Sequence, residues 1–394
     1  MKKITKILTA VLTAGVTALT AVPFQVSAVE KNSNIVLLGD GVFSGAGLSQ
    51  NDRSCVEILD SMTDAEIHNF SSDTATTADV LALLDDADVQ SSLASADVII
   101  VSVGMQDVFV PYIAEVDTII QEYRDNGYEL EHLTDLFDKY MYDYGIGSLD
   151  ELDVVASQIS GRIATAARSK RNDASANLES IGEKLSAYPN AKVMYVNCFN
   201  IMDTLSNVAD LTSRRQDAYN VIKRPVGSVL NSDKINLNSA IRNNASNYGS
   251  TIIDTFNGFA GMAYEYGYLP VLTPNPSRIG HEWIGLEILS GIAEDENSGV
   301  MGTLKMGDVN CDGNIDAADA AKVLVHSANK GGGSVGYFGT YAEKIANVST
   351  AGKTLSEGET DEIDAIDAAF ILQYAALQGS GEAPDFAEIV KQSN

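Results

Sequence analysis

Six residues between Asp308 and Asp319 carry oxygen at the spacing of a calcium-binding loop. Asp308, Asn310, Asp312, Asp316 and Asp319 fall at positions 1, 3, 5, 9 and 12, and Asn314 at position 7 offers its backbone carbonyl. Hard oxygen donors suit a hard cation, so the expected ligand is Ca2+. Gly313 at position 6 allows the sharp turn, and Ile315 at position 8 is the apolar anchor. Position 12 is Asp, where such loops usually place Glu. A second unit follows, because "IDAADAAKVL" (315–324) reappears as "IDAIDAAFIL" (363–372). Aligning Ile363 on Ile315 keeps Asp364 and Asp367 at positions 9 and 12. Positions 1, 3 and 5 then become Ser356, Gly358 and Thr360, and position 6 becomes Asp361. Calcium is expected at the first loop, with weak or no binding at the second.

A different stretch has the form of a nucleophile's turn but lacks the attacking atom. In "IVLLGDGVFSGAG" (35–47) an apolar run ends in Gly39-Asp40, and the next residue is Gly41. Nucleophilic hydrolysis needs a hydroxyl or thiol, a base that takes its proton, and a group that orients the base. Ser44 supplies the nearest hydroxyl and His281 a candidate base. Such a pair works only if the two meet within hydrogen-bond reach. The alternative is that Ser44 satisfies backbone groups in the first helical turn and that His281 packs near a helix start. His68 lies inside a strand-like run and reads as a core histidine.

These groups must be held by a scaffold, and the pattern is that of an α/β protein. Short apolar runs at 34–38, 66–70, 97–103, 192–198 and 250–254 are separated by segments of helical period. In 176–188, Leu178, Ile181 and Leu185 share one stripe while Glu179 and Lys184 face out, and 235–248 repeats the pattern. The expected fold is a parallel five-stranded sheet flanked by helices, followed by a small helical module built on the calcium loop. Ligands in such sheets sit at the carboxyl ends of the strands. The boundaries read as a leader at 1–28, a large domain at 31–293, a polar linker at 294–305 and a small module at 306–380.

The large domain resembles the SGNH, or GDSL-type, hydrolases in four blocks. Gly39-Asp40-Gly41 is similar to the Gly-Asp-Ser block, and "NFSSDTATTADVLALL" (69–84) to the second, whose oxyanion-hole glycine falls on Thr74. "VIIVSVGMQDV" (98–108) resembles the Gly-x-Asn-Asp block, with Gln106 at the Asn position. "TPNPSRIGHEWIG" (273–285) resembles the last block, with Asn275 at the histidine position and Leu272 at the acid position. The resemblance implies the fold and at the same time removes the triad. Two readings of the crevice stay open: a vestigial pocket in which Gly41, Thr74 and Gln106 hold an acylated sugar or carboxylate, or a filled, inert depression. An esterase acting on acylated plant polysaccharide through a relocated Ser44–His281 site is the alternative activity. The tyrosines at 112, 123, 128, 140, 142 and 144 either stack on sugar rings or pack a helical insert.

The paired loop–helix units resemble dockerins, which bind cohesin domains of cellulosome scaffolds. That resemblance implies cohesin contact through Ala317, Ala318, Leu324 and Val325, and through Ala365, Ile366, Leu372 and Gln373. In the alternative, Leu324 and Leu372 fill the module's own core. The spacing between units is longer than in compact dockerins.

Charge and leader fit an exported protein. Lys2, Lys3 and Lys6 precede an apolar run ending in Val26-Ser27-Ala28, the form of a cleaved secretion signal, with an uncleaved membrane anchor as the alternative. The net charge of −28 disfavours nucleic acid and anionic membranes as partners. Three scattered cysteines give no disulfide framework.

Overall fold

The computed structural model describes residues 33–131, 135, 149–201, 226–260, 273–293, 305–333, 336–339, 342–351 and 362–393. The leader, most of the linker, Leu272, Tyr140, Tyr142, Tyr144, Ser356, Gly358, Thr360 and Asp361 lie outside the described residues.

Five parallel strands form one sheet: β1 (Asn34–Gly39), β2 (Glu66–Ser71), β3 (Val98–Ser102), β4 (Lys192–Val196) and β5 (Thr251–Ile253), in the order β2-β1-β3-β4-β5. The three central strands are near-continuous apolar runs because both faces are covered; Ile35 to Leu38 and Val98 to Val101 are wholly buried. The strand order reverses between β1 and β3, which places the expected crevice at their carboxyl ends.

Helices cover both faces. In chain order they are α1 (Gly41–Ser44), α2 (Cys55–Met62), α3 (Thr77–Leu83), α4 (Ala87–Ala94), α5 (Met105–Asp125), α6 (Leu149–Arg168), α7 (Arg171–Leu185), α8 (Leu237–Tyr248), α9 (Thr255–Gly258) and α10 (Arg278–Ala293). The stripe Leu178, Ile181 and Leu185 of α7 is buried, as its 3.6-residue period requires. Ser54 and Thr76 start α2 and α3 with reciprocal capping boxes to Glu57 and Asp79. Helices α5 and α6 are tied by Arg162, which binds Glu115 and Glu122 at 2.6 Å each.

The C-terminal module contains α11 (Ala317–Gly331), α12 (Glu343–Ala346), α13 (Ala365–Gly379) and α14 (Phe386–Ser393). The last helix lies beyond the expected boundary at 380. Its Phe386 stacks on Tyr374 at 4.5 Å between ring centroids, so the module runs on to it.

One expectation is corrected here. His68 is not a core histidine: β2 is an edge strand with a half-exposed face, and the His68 side chain keeps 28 % of its exposure, 3.7 Å from Glu66. The module packs on the large domain through polar contacts. Trp283 Nε1 donates to the Tyr337 carbonyl at 3.0 Å, and Ala342 N–H donates to Glu287 Oε1 at 2.9 Å, both buried. Lys322 reaches Tyr337 Oη at 2.7 Å and Glu282 at 3.4 Å, and Arg53 donates to the Cys311 carbonyl at 3.2 Å. Between sheet and module, α10 is therefore buried almost all round, which is why its sequence is apolar on every face.

Candidate functional site

Gly39 ends β1 at φ 149, and a Cβ there would collide with the Ser102 carbonyl of β3, so only glycine lets the strands close at this point. Asp40 N–H donates to that carbonyl at 2.9 Å, and Ser72 N–H donates to the Gly39 carbonyl at 2.9 Å. Three strand ends are thus locked together. The Asp40 carboxylate caps α1, accepting from Val42 N–H at 3.3 Å and from Ser102 Oγ at 3.2 Å. Burial raises the pKa of Asp40 to about 7. Because the folded value lies above the unfolded one, the protonated form is favoured by folding, and this contribution is lost as pH rises from about 4 through 7. Asp40→Asn keeps an acceptor but cannot ionise. It is expected to match wild type near pH 4 and to become the more stable by a few kcal/mol, order of magnitude, above pH 7. Denaturant curves of both proteins across that range check it.

Gly41 follows, and a Cβ added to it would collide with Asn275 Oδ1. The positions that resemblance assigns to nucleophile and base therefore face each other, and the amide of Asn275 fills the space a serine side chain would need. Asn275 Oδ1 is buried without a hydrogen-bond partner among the described residues. Neither group can attack or take a proton near neutral pH.

The other expected donors do not converge here. Gln106 is buried, and its Nε2 donates to the Asp73 carbonyl at 3.1 Å, so the amide braces the turn after β2 instead of opening into a crevice. Thr74 lies on that turn, exposed. Asp107 accepts from Thr77 N–H and Oγ1, both at 2.9 Å, and holds the start of α3. The relocated pair is not formed either. Ser44 is exposed and its Oγ donates to the Gly41 carbonyl at 3.5 Å, while Asp40, not Ser44, caps the short helix. His281 is fully buried against α2; its Nδ1 accepts from Cys55 N–H at 3.3 Å, and desolvation lowers its pKa to about 4. Of the described tyrosines, Tyr112 is buried, and Tyr123 and Tyr128 pack edge to face at 5.4 Å, which is packing of a helical insert.

The first loop of the module has the expected backbone. Asp308 accepts from Asp312 N–H at 3.2 Å and Gly313 N–H at 3.0 Å, and Gly313 has φ 85. Asp312 accepts from Asn314 N–H at 2.8 Å, and Asn310 Oδ1 accepts from Asp312 N–H at 2.9 Å. Asp319 accepts from Val309, Asn310 and Asp316 N–H groups, and Asp316 caps α11. Among the described residues, no three His, Cys, Asp or Glu side chains converge as a metal cluster. The donor set nonetheless fits calcium. Asp308 and Asp319 are wholly buried, burial raises their pKa values to about 6 and about 7, and neighbouring carboxylates raise both further. A divalent cation relieves that charge. All three cysteines are buried thiols, including Cys311 within this loop.

In the second unit Asp367 accepts from Ser349 N–H at 2.8 Å, as Asp319 accepts from Val309 and Asn310, while positions 1, 3, 5 and 6 of its loop lie outside the described residues. Asp364 caps α13 with Asp367 as its capping-box partner, matching Asp316 and Asp319. Leu324 and Leu372 do not fill the core. Each keeps 46 % exposure, while Val323, Phe370 and Ile371 are buried instead. Ala317, Ala318, Ala365, Ile366 and Gln373 are exposed and Val325 is half-buried. Sequence reasoning missed the seam residues Arg53, Trp283 and Glu287; the one hint was Glu287, an acid inside the apolar run "WIGLEILSGIA" (283–293).

No family model and no curated protein matches the chain. Among solved structures it is similar to a lipase from a goat rumen metagenome, at 13 % identity, over 64 % of this chain and 94 % of that one, with TM-score 0.35. A phospholipase A1 from Streptomyces albidoflavus is similar at 16 % identity, over 63 % and 94 %, with TM-score 0.39. An acetyl xylan esterase is similar at 14 % identity, over 66 % and 99 %, with TM-score 0.32.

Proposed function

We propose that the chain is a secreted, non-catalytic component of a plant-polysaccharide-degrading assembly. It docks to a cohesin domain through a calcium-loaded dockerin-like module and carries an SGNH-type domain that has lost its chemistry. The docking half rests on one observation. Two loop–helix units are each sealed by the aspartate at position 12, and each leaves the leucine five residues on, Leu324 or Leu372, exposed. Mostly apolar neighbours at Ala317, Ala318, Ala365 and Ile366 suit a largely hydrophobic contact. Calcium would be held by Asp308, Asn310, Asp312, Asp316 and Asp319 side chains and the Asn314 carbonyl, and its role is to order the loop. The non-catalytic half rests on Asn275 occupying the space beside Gly41.

Calcium titration into the full chain is expected to show one strong site, lost in Asp308→Ala. Saturation at 100 times Kd stabilises by about 2.7 kcal/mol. Capture on an immobilised cohesin panel is expected to need calcium and to fall about 10- to 30-fold in Leu324→Asp and in Leu372→Asp. Capture by no cohesin, or capture indifferent to both leucines, counts against docking. Turnover of p-nitrophenyl acetate or acetylated xylan that vanishes in Ser44→Ala or His281→Ala would establish the relocated esterase instead.

A further inference from the structure

A cavity of about 450 Å³ opens at the amino ends of β4 and β5, the opposite end of the sheet from Gly41 and Asn275. Tyr188, Tyr195 and Tyr248 line it together with Asn190, Ser250 and Lys192. Its size is that of a small-ligand site, and its walls combine aromatic faces with short polar groups. Tyr248 keeps 39 % exposure, so part of its ring stands free at the surface. Tyr195 is 1 % exposed and forms the floor, its hydroxyl sealed from solvent beside the Asn244 amide.

The electrostatics select the ligand class. Among the described residues no carboxylate lines the cavity, in a chain with 54 acidic residues. Helices α7 and α8 both end at its wall, so the negative ends of two helix dipoles face it. Those ends oppose anions and accept hydroxyl donors. The cation present, Lys192, is held by the Gly291 carbonyl at 2.7 Å. Aromatic faces offer apolar area to the C–H face of a sugar ring, and the serine, asparagine and tyrosine groups meet its hydroxyls.

We propose that this cavity binds one residue of a neutral glycan, with Tyr248 as the stacking platform and Asn190 and Ser250 as the polar groups that meet its hydroxyls. The site is independent of both the crevice and the docking face, so it stands or falls apart from the function proposed above.

Ligand-observed NMR and calorimetry on the full chain, with xylobiose, cellobiose and digalacturonate as probes, test it. The expected result is binding of a neutral disaccharide with Kd on the order of millimolar, no binding of digalacturonate, and a loss of tenfold or more in Tyr248→Ala. Thermal unfolding of each variant distinguishes a lost contact from a lost fold, and Tyr248→Phe is expected to retain binding. Failure of both neutral disaccharides to bind overturns the proposal. So does a preference for digalacturonate, or binding that survives in well-folded Tyr248→Ala.

Discussion

Trp283→Ala is expected to cost about 3–5 kcal/mol and to uncouple the C-terminal module from the α/β domain. Trp283 is 4 % exposed on α10. Its indole N–H donates to the Tyr337 carbonyl of the module at 3.0 Å, and its ring packs edge to face on Phe259 of the large domain at 5.3 Å. Gly258 has no side chain where a Cβ would collide with that indole. Truncation therefore leaves a cavity at the seam and removes the indole's hydrogen bond to the Tyr337 carbonyl. Wild type is expected to unfold in one transition, because the Glu287–Ala342, Lys322–Glu282 and Arg53–Cys311 contacts reinforce the same seam. The variant is expected to unfold in two, the module melting first. Trp283 is the only tryptophan in the chain, so its fluorescence reports the seam directly in wild type. Calorimetry of wild type showing two separate transitions would mean that the seam carries little coupling.

Gly41→Ser is expected to destabilise by about 1–3 kcal/mol and to create no activity. The new Cβ meets Asn275 Oδ1 and Cγ, and it also approaches Ala46 Cβ at 3.3 Å. The Asn275 amide must swing away, and its oxygen is already buried without a partner. In an Asn275→Gly background the same serine has room. The double-mutant cycle is therefore expected to show coupling of at least about 1 kcal/mol between the two positions. Neither variant gains hydrolysis, because the position facing the serine still has no base. Additive effects at 41 and 275 would show that the two positions do not face each other as described.

Much of the scaffold was legible in the chain. Continuous β-branched runs such as "VIIVSV" (98–103) mark strands covered on both faces, and the Leu178, Ile181, Leu185 stripe marks a helix. Local periodicity cannot, however, distinguish an edge strand from a central one, so the exposure of His68 was not readable. The juxtaposition of Gly41 and Asn275 was implied by the four-block resemblance, although only Gly41 lies at a strand end and Asn275 sits in the segment that leads into α10. Gln106 kept its position but not its expected role: its longer side chain reaches the Asp73 carbonyl. The seam left almost no trace, because Trp283 and Tyr337 are far apart in sequence and meet through no periodic pattern. In the second unit the equivalence of Asp364 and Asp367 to Asp316 and Asp319 was legible in the repeated phrase, and both pairs form the same capping box.

The central claim is that the crevice beside Gly41 holds no nucleophile. Intact-mass analysis after prolonged exposure to a fluorophosphonate tests it most directly, since that reagent labels an activated serine whatever the substrate. The mass is expected to remain unchanged. A stoichiometric adduct mapped to Ser44, or to any other serine of the large domain, would contradict the account.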